Sequence, residues 1–235
     1  MGTEQLAGKK IAVALGRSLH QNFSVKIQHY TSDTLTVEYD GIPGNAPETY
    51  NNFVALWAGS MINLDIPPLK KQFIDTNLQP GTVVLNELEI TGSSYIVAYG
   101  VGKELTTICA NALLSAGGSA LPNHVNIGLN NVTSKSISLN YQTLPGYLPK
   151  KYNNWVALWE GYALPYTASK PLAQVPVPSN ASQEDVSIKG VHIKTNTEYT
   201  LVYFVGRGGK KIKKIWHFTE AAALMYFNTG DYIKG

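Results

Sequence analysis

The 235 residues carry 19 basic and 16 acidic side chains, a net charge of +3 and a charged fraction of 15%, well under the ~25% usual for globular chains. Asn, Ser and Thr together number 51, so the expected surface is polar without repelling itself, and the small basic excess argues against a nucleic-acid binder. No run approaches the ~18 apolar residues that a membrane-spanning helix needs.

Near the N-terminus, GKKIAVAL (residues 8–15) sets Ile11, Val13 and Leu15 on one side at strand spacing and Ala12 and Ala14 on the other. Residues 1–19 precede anything that repeats and are predicted to be an arm or extra strand. Two placements fit: an opening strand of the chain's own first domain, or a self-association arm that completes an exposed edge of a neighbouring molecule. The segment places acid before its lysines, and its apolar run of about five residues is short for an export signal. The protein is therefore expected in the cytoplasm, or released without a classical signal peptide.

TLTVEY (34–39) alternates Leu35, Val37 and Tyr39 with Thr36 and Glu38, the period of two of a half-buried strand. After Pro43, Gly44 and Pro47 comes YNNFVALWAG (50–59). At a spacing of 102 residues the text recurs, with Ile137, Leu139 and Tyr141 alternating in SISLNY (136–141), then Pro145, Gly146 and Pro149, then YNNWVALWEG (152–161). Downstream, SSYIVAYGVG (93–102) lies over TEYTLVYFVG (197–206) after a slip of about two residues, as loops allow. The chain is an internal duplication, with a first repeat over 20–118 and a second over 119–235.

Within FVALW, Val54 and Leu56 face one way and Phe53, Ala55 and Trp57 the other, as in a central strand covered on both faces. Trp57 and Trp159 are expected in the core, with Tyr95 and Tyr199 leading the later strand of each repeat. The two asparagines before the strand read as a turn signal. TTICANALL (106–114) and AAALMYF (221–227) are the two stretches that could pass for helix. GRGGKKIKKIWHF (206–218) reads as a last strand whose lysines guard an edge.

LNELEITGSSYIVAYGVG (85–102) and IKGVHIKTNTEYTLVYFVG (188–206) resemble the E-to-F corner of fibronectin type III domains, where an apolar residue, a short turn and a tyrosine lead into an alternating strand. FVALW and WVALW resemble strand C of that sandwich, TLTVEY and SISLNY its strand B. The resemblance spans residues 20–110 and 122–218 and implies an immunoglobulin-like topology. Together with the alternation and the duplication, the expected fold class is all-β: two tandem immunoglobulin-like (fibronectin III-like) antiparallel β-sandwich domains. A shared fold implies nothing about activity.

Chemistry is sparse. Cys109 is the single cysteine, so no intramolecular disulfide forms, and His20, His29, His124, His192 and His217 show no metal-ligand spacing. There is no G-x-S-x-G, H-E-x-x-H or phosphate-binding glycine loop in a strand-to-helix context. No cofactor, metal or catalytic residue is expected. The sequence reads as a non-catalytic structural protein whose partner is itself, assembling through sandwich surfaces into a filament, lattice or inclusion. The alternative is a recognition module that binds a glycan or protein through its loops, with Tyr147, Tyr162 and Tyr166 of the proline-rich loops as stacking residues.

Overall fold

Alternation builds the first sheet. Leu35, Val37 and Tyr39 are buried at 0–1% exposure while Thr36 and Glu38 between them are half-buried, and the strand they form pairs on both sides. The structure is a computed structural model that describes residues 19–115, 118–119, 122–206, 210–212 and 215–232. Its strands in chain order are β1 (Leu19–Asn22), β2 (Ser24–Tyr30), β3 (Leu35–Asp40), β4 (Phe53–Ala58), β5 (Lys70–Phe73), β6 (Gly81–Leu85), β7 (Tyr95–Gly100) and β8 (Ile108–Ser115). A link carrying β9 (Gly118–Ser119) and β10 (Asn123–His124) leads to β11 (Asn126–Thr133), β12 (Ser136–Gln142), β13 (Trp155–Glu160), β14 (Ala173–Pro176), β15 (Gln183–Lys189) and β16 (Glu198–Phe204). β17 (Lys210–Ile212), β18 (Ile215–His217) and β19 (Ala221–Asn228) close the series.

Each repeat is a sandwich of two antiparallel sheets. In the first, β2-β3-β6 faces β8-β7-β4-β5; in the second, β11-β12-β15 faces β19-β16-β13-β14. The alternation predicts a sandwich, and a three-stranded sheet against a four-stranded one is the fibronectin III-like arrangement that the resemblance implies. Aromatic rings fill the space between the sheets: Tyr39 packs on Tyr99 with centroids 5.4 Å apart, and Tyr141 on Tyr203 at 5.5 Å.

The outer face of each four-stranded sheet is covered as well. The loop between β4 and β5 folds back over it, and Trp57 donates its Nε1–H to the Ile66 carbonyl at 3.0 Å; in the second repeat Trp159 donates to the Ser169 carbonyl at 2.7 Å. Both tryptophans are 3% exposed, each indole satisfied by the loop that buries it. Tyr95 and Tyr199 are also buried, and both hydroxyls tie the corner before their strand: Tyr95 donates to the Glu89 carbonyl at 3.2 Å, and Tyr199 accepts from the Lys194 amide at 3.0 Å.

The two helix-compatible stretches are strands. Residues 108–114 lie in β8 and residues 221–227 in β19, and nearly every side chain of both is buried. A strand covered on both faces loses the alternation that would announce it, and alanine-rich text then reads as helix. The lysine-rich stretch 206–218 is not the last strand either. Its backbone forms the hairpin β17–β18, with Lys210 opposite His217, inside the connection from β16 to β19.

β8 and β19 each take a strand from outside their own sandwich. β10, which introduces the second repeat, pairs with β8 through Asn123↔Asn111 and His124↔Ala110; β1, which introduces the first, pairs with β19 through Asn22↔Ala223 and Leu19↔Tyr226. The two clasps are equivalent under the 102-residue repeat, since Asn22 corresponds to His124. Each sandwich thus closes the edge of the other. Ile11, Val13 and Leu15 lie outside the described residues; the segment that follows them, β1, pairs inside its own chain but with the far sandwich, an option between the two placements weighed above.

The repeated YNN is accounted for atom by atom. Asn51 and Asn153 sit at φ 56° and 59°, the left-handed region that asparagine tolerates better than most residues. The next asparagine is fully buried: Asn52 Nδ2 donates to the Tyr99 hydroxyl at 2.9 Å, and Asn154 Nδ2 to the Tyr203 hydroxyl at 3.0 Å. Asn154 Oδ1 additionally accepts from the Tyr147 hydroxyl and the Gly206 amide.

Two outcomes follow for stability. Asn52→Ala takes a donor from the Tyr99 hydroxyl and from Asn45 Oδ1 and should cost about 1–3 kcal/mol in urea unfolding, and Asn154→Ala should cost more because three partners lose it against two; equal costs would show that the two bonds to Asn154 Oδ1 contribute no more than the one to Asn45. Deleting residues 1–22 opens the β19 edge, and amide exchange in β19 should quicken well before that in β7. Unchanged exchange in β19 would mean that β1 is not a stabilising strand.

Candidate binding surfaces

The two sandwiches meet along a seam built from equivalent loops. Pro43-Gly44 and Pro145-Gly146 turn before the YNN motif, and Gly44 and Gly146 hold φ at 86° and 81°. A Cβ on Gly44 would stand 3.1 Å from the Tyr166 ring of the second repeat, and one on Gly146 would stand 3.0 Å from the Ile62 carbonyl oxygen of the first. The strand-linking loop of each copy therefore rests on the turn of the other. Tyr50 stacks on Tyr166 with centroids 5.1 Å apart and planes 8° from parallel. Tyr147 packs on Tyr152 at 5.0 Å and donates its hydroxyl to the Thr106 carbonyl of the first repeat at 2.5 Å. Lys151 pairs with Asp65 across the seam at 3.3 Å, and where the two clasps enter their sandwiches Asn22 Nδ2 lies 3.5 Å from Asn126 Oδ1.

This geometry relocates the loop tyrosines. Tyr147 is 2% exposed and Tyr166 4%; Tyr162 is half-buried against Tyr226 at 5.3 Å. Proline-rich loops read as solvent-facing platforms, but these loops cover protein: Tyr147 and Tyr166 fill the joint between sandwiches, and Tyr162 packs on Tyr226 of its own. The pairing of one tyrosine with a partner a hundred residues away has no local signature. A faint one existed in the tyrosine of YNN itself, present in both copies and facing the seam in both.

Solvent-exposed apolar side chains gather elsewhere. Met61, Ile66 and Leu69 of the loop between β4 and β5 are 60%, 56% and 59% exposed, and Phe73 on β5 is 49% exposed. In the second repeat, the equivalent loop and strand contribute Leu172 to the exposed large apolar residues. The two copies are thus alike inside and unlike on this rim. Beside β14 an open groove of about 600 Å³ is lined by Lys150, Asn153, Trp155, Gln174, Pro176 and Pro178. Trp155 stacks on Phe204 at 4.1 Å, and its buried Nε1–H has no hydrogen-bond partner. Among the described residues, no three His, Cys, Asp or Glu side chains come together as a metal site, and no helix is long and apolar enough to cross a membrane. Cys109 is buried, and that burial pushes its thiol well above the usual range, the opposite of an activated nucleophile.

Burial governs the tyrosine hydroxyls. Tyr141, Tyr162 and Tyr226 are each pushed up to about 12 by desolvation first, then by the nearby charges of Glu184 and Glu198 for the first two and by Tyr162 for the third. Tyr99, Tyr203, Tyr147 and Tyr166 are raised further for the same leading reason. An unfolded tyrosine ionises near pH 10, so between about 10 and 12 the unfolded chain releases protons that the folded chain keeps. Stability is full below pH 10 and falls as pH rises through that window. Alkaline titration should show most of the phenolate absorbance rising together with loss of β-sheet circular dichroism; most of it appearing near pH 10 with the fold intact would show these hydroxyls to be accessible.

No family model and no curated protein matches the chain. Among solved structures it is similar to the chicken CNTN1 FN1-FN3 domains at 12% identity and a TM-score of 0.27, covering 91% of this chain and 66% of that one. It is also similar to the BSP domain of a biofilm associated protein, at 11% identity and a TM-score of 0.22, covering 73% of this chain and 24% of that one. Likenesses at these scores carry no functional weight, and the fold class stands on the strand order itself.

Proposed function

We propose that the chain is a non-catalytic structural protein that assembles with copies of itself through its sandwich surfaces into a filament, lattice or inclusion. The observation that carries this reading is the apolar rim of the first sandwich, where Met61, Ile66 and Leu69 each expose more than half their surface. Scattered exposed apolar residues are ordinary, but large ones concentrated on one loop beside an open strand mark a contact surface. The low charge of the chain supports it, since weak self-repulsion lets like surfaces approach. Sedimentation over a concentration series should show species heavier than the 25.6 kDa chain. Replacing Met61, Ile66 and Leu69 together by serine should abolish them while leaving the melting temperature within a few degrees. A parent that stays monomeric throughout sinks the proposal.

A second reading, a recognition module for a glycan or protein, is favoured by the groove beside β14, with the unpartnered Trp155 indole in its wall. Binding on a glycan or peptide array that survives Gln174→Trp, which narrows the groove, would remove that surface from consideration.

A further inference from the structure

We propose that β5 is the surface by which a second copy of this chain docks, as an antiparallel β5–β5 pair whose two-fold axis passes at Gln72. The inference rests on the self-association reading above and names its contact.

β5 ends its sheet: it pairs with β4 on one side, and among the described residues its other side has no strand. The register sets Phe53 opposite Phe73, Val54 opposite Gln72 and Leu56 opposite Lys70, and the Ile74 amide donates to the Asn52 carbonyl at 2.9 Å. Hydrogen-bonded pairs alternate along an antiparallel ladder, so residues 70, 72 and 74 direct their backbone groups at β4. Lys71 and Phe73 direct theirs outward, where another strand can pair.

Natural edges of this kind are guarded by lysine or proline. In the second sandwich the guard is present: Pro176 stands opposite Trp155 as Phe73 stands opposite Phe53, at the position whose amide would point outward, and Pro178 follows. In the first sandwich the guard is disarmed. Lys71 is turned onto the outer face of its own sheet, its Nζ 4.1 Å from the Phe53 ring centroid and 4.7 Å from that of Phe73, and it donates to the Lys103 carbonyl. Lys70 is held by Glu87 at 2.9 Å. What remains presented along the edge is Leu69, Phe73 and two outward backbone sites.

The occupant follows from the pattern of charge and ring. With the axis at Gln72, the other copy's Phe73 stands across from Lys71 on the same face, so the ammonium already seated over Phe53 and Phe73 of its own sheet gains the partner's ring beside it, twice over. Moving the axis to Lys71 would set two lysines face to face. A two-fold pair of identical edges is also closed, so this contact makes a dimer and leaves any larger assembly to other surfaces.

Phe73→Pro tests the contact with the second repeat's own residue. It removes an amide that points away from β4, so the sandwich keeps its internal bonds, while each dimer loses two cross-strand bonds and should weaken by at least about tenfold. In the same register the two Gln72 residues form a non-hydrogen-bonded pair with Cα atoms about 4.5 Å apart, within disulfide reach. Gln72→Cys should therefore oxidise to a covalent dimer, without background from the buried Cys109, and the double variant with Phe73→Pro should not. A parent that assembles while Phe73→Pro assembles equally well overturns β5 as the surface and leaves the self-association reading standing. A dimer that Phe73→Pro breaks but Gln72→Cys fails to cross-link overturns the axis at Gln72. A monomeric parent overturns both readings together.

Discussion

A sheet edge whose strand is buried on both faces cannot be left open, because its outward amides would face protein without partners. β8 and β19 are such strands, and their closure by β10 and β1 is the constraint on which the arrangement of the molecule depends. Once each sandwich completes the other, the two repeats must lie side by side with their turns and loops in register. The stack of Tyr50 on Tyr166, the reach of Tyr147 to Thr106 and the pair Lys151–Asp65 then fall into place. The seam is an internal two-fold relation between copies that are no longer identical.

Divergence between the copies is concentrated away from what holds them together. The bond from the buried asparagine amide to its tyrosine and the capped tryptophan indole are repeated in both copies. The rims differ: one carries Phe73 with exposed Met61 and Ile66, the other two prolines and a groove. A duplicated scaffold can keep its closure and specialise its rims separately, since the strands that close it and the strands that form the rims lie at opposite edges of each sheet.

What was legible in the sequence follows from how locally each feature is encoded. Strands exposed on one face announce themselves by period, so β3 and β12 could be read from six residues each. The repeat fixed two sandwiches, and the asparagine pair signalled a turn. β8 and β19 were misleading because burial on both faces erases the period, and the hairpin β17–β18 was mistaken for the strand that follows it. The seam was illegible for a different reason: Tyr147 and Tyr166 meet partners in the other repeat, and single-sequence patterns carry no record of contacts at that separation. Loops rich in proline looked like display surfaces because nothing local says what they lie against.

The clasp of β1 on β19 also orders events in time. Its partners, Leu19 with Tyr226 and Asn22 with Ala223, stand ~200 residues apart in the chain, so closing it carries the largest loop entropy of any strand pairing among the described residues. During synthesis the first sandwich can assemble and accept β10 along β8 while β1 still waits for a strand that does not yet exist. For that interval β1 has only water along the edge that β19 will take, and the last strand made completes both its own sheet and the pairing of the first strand described.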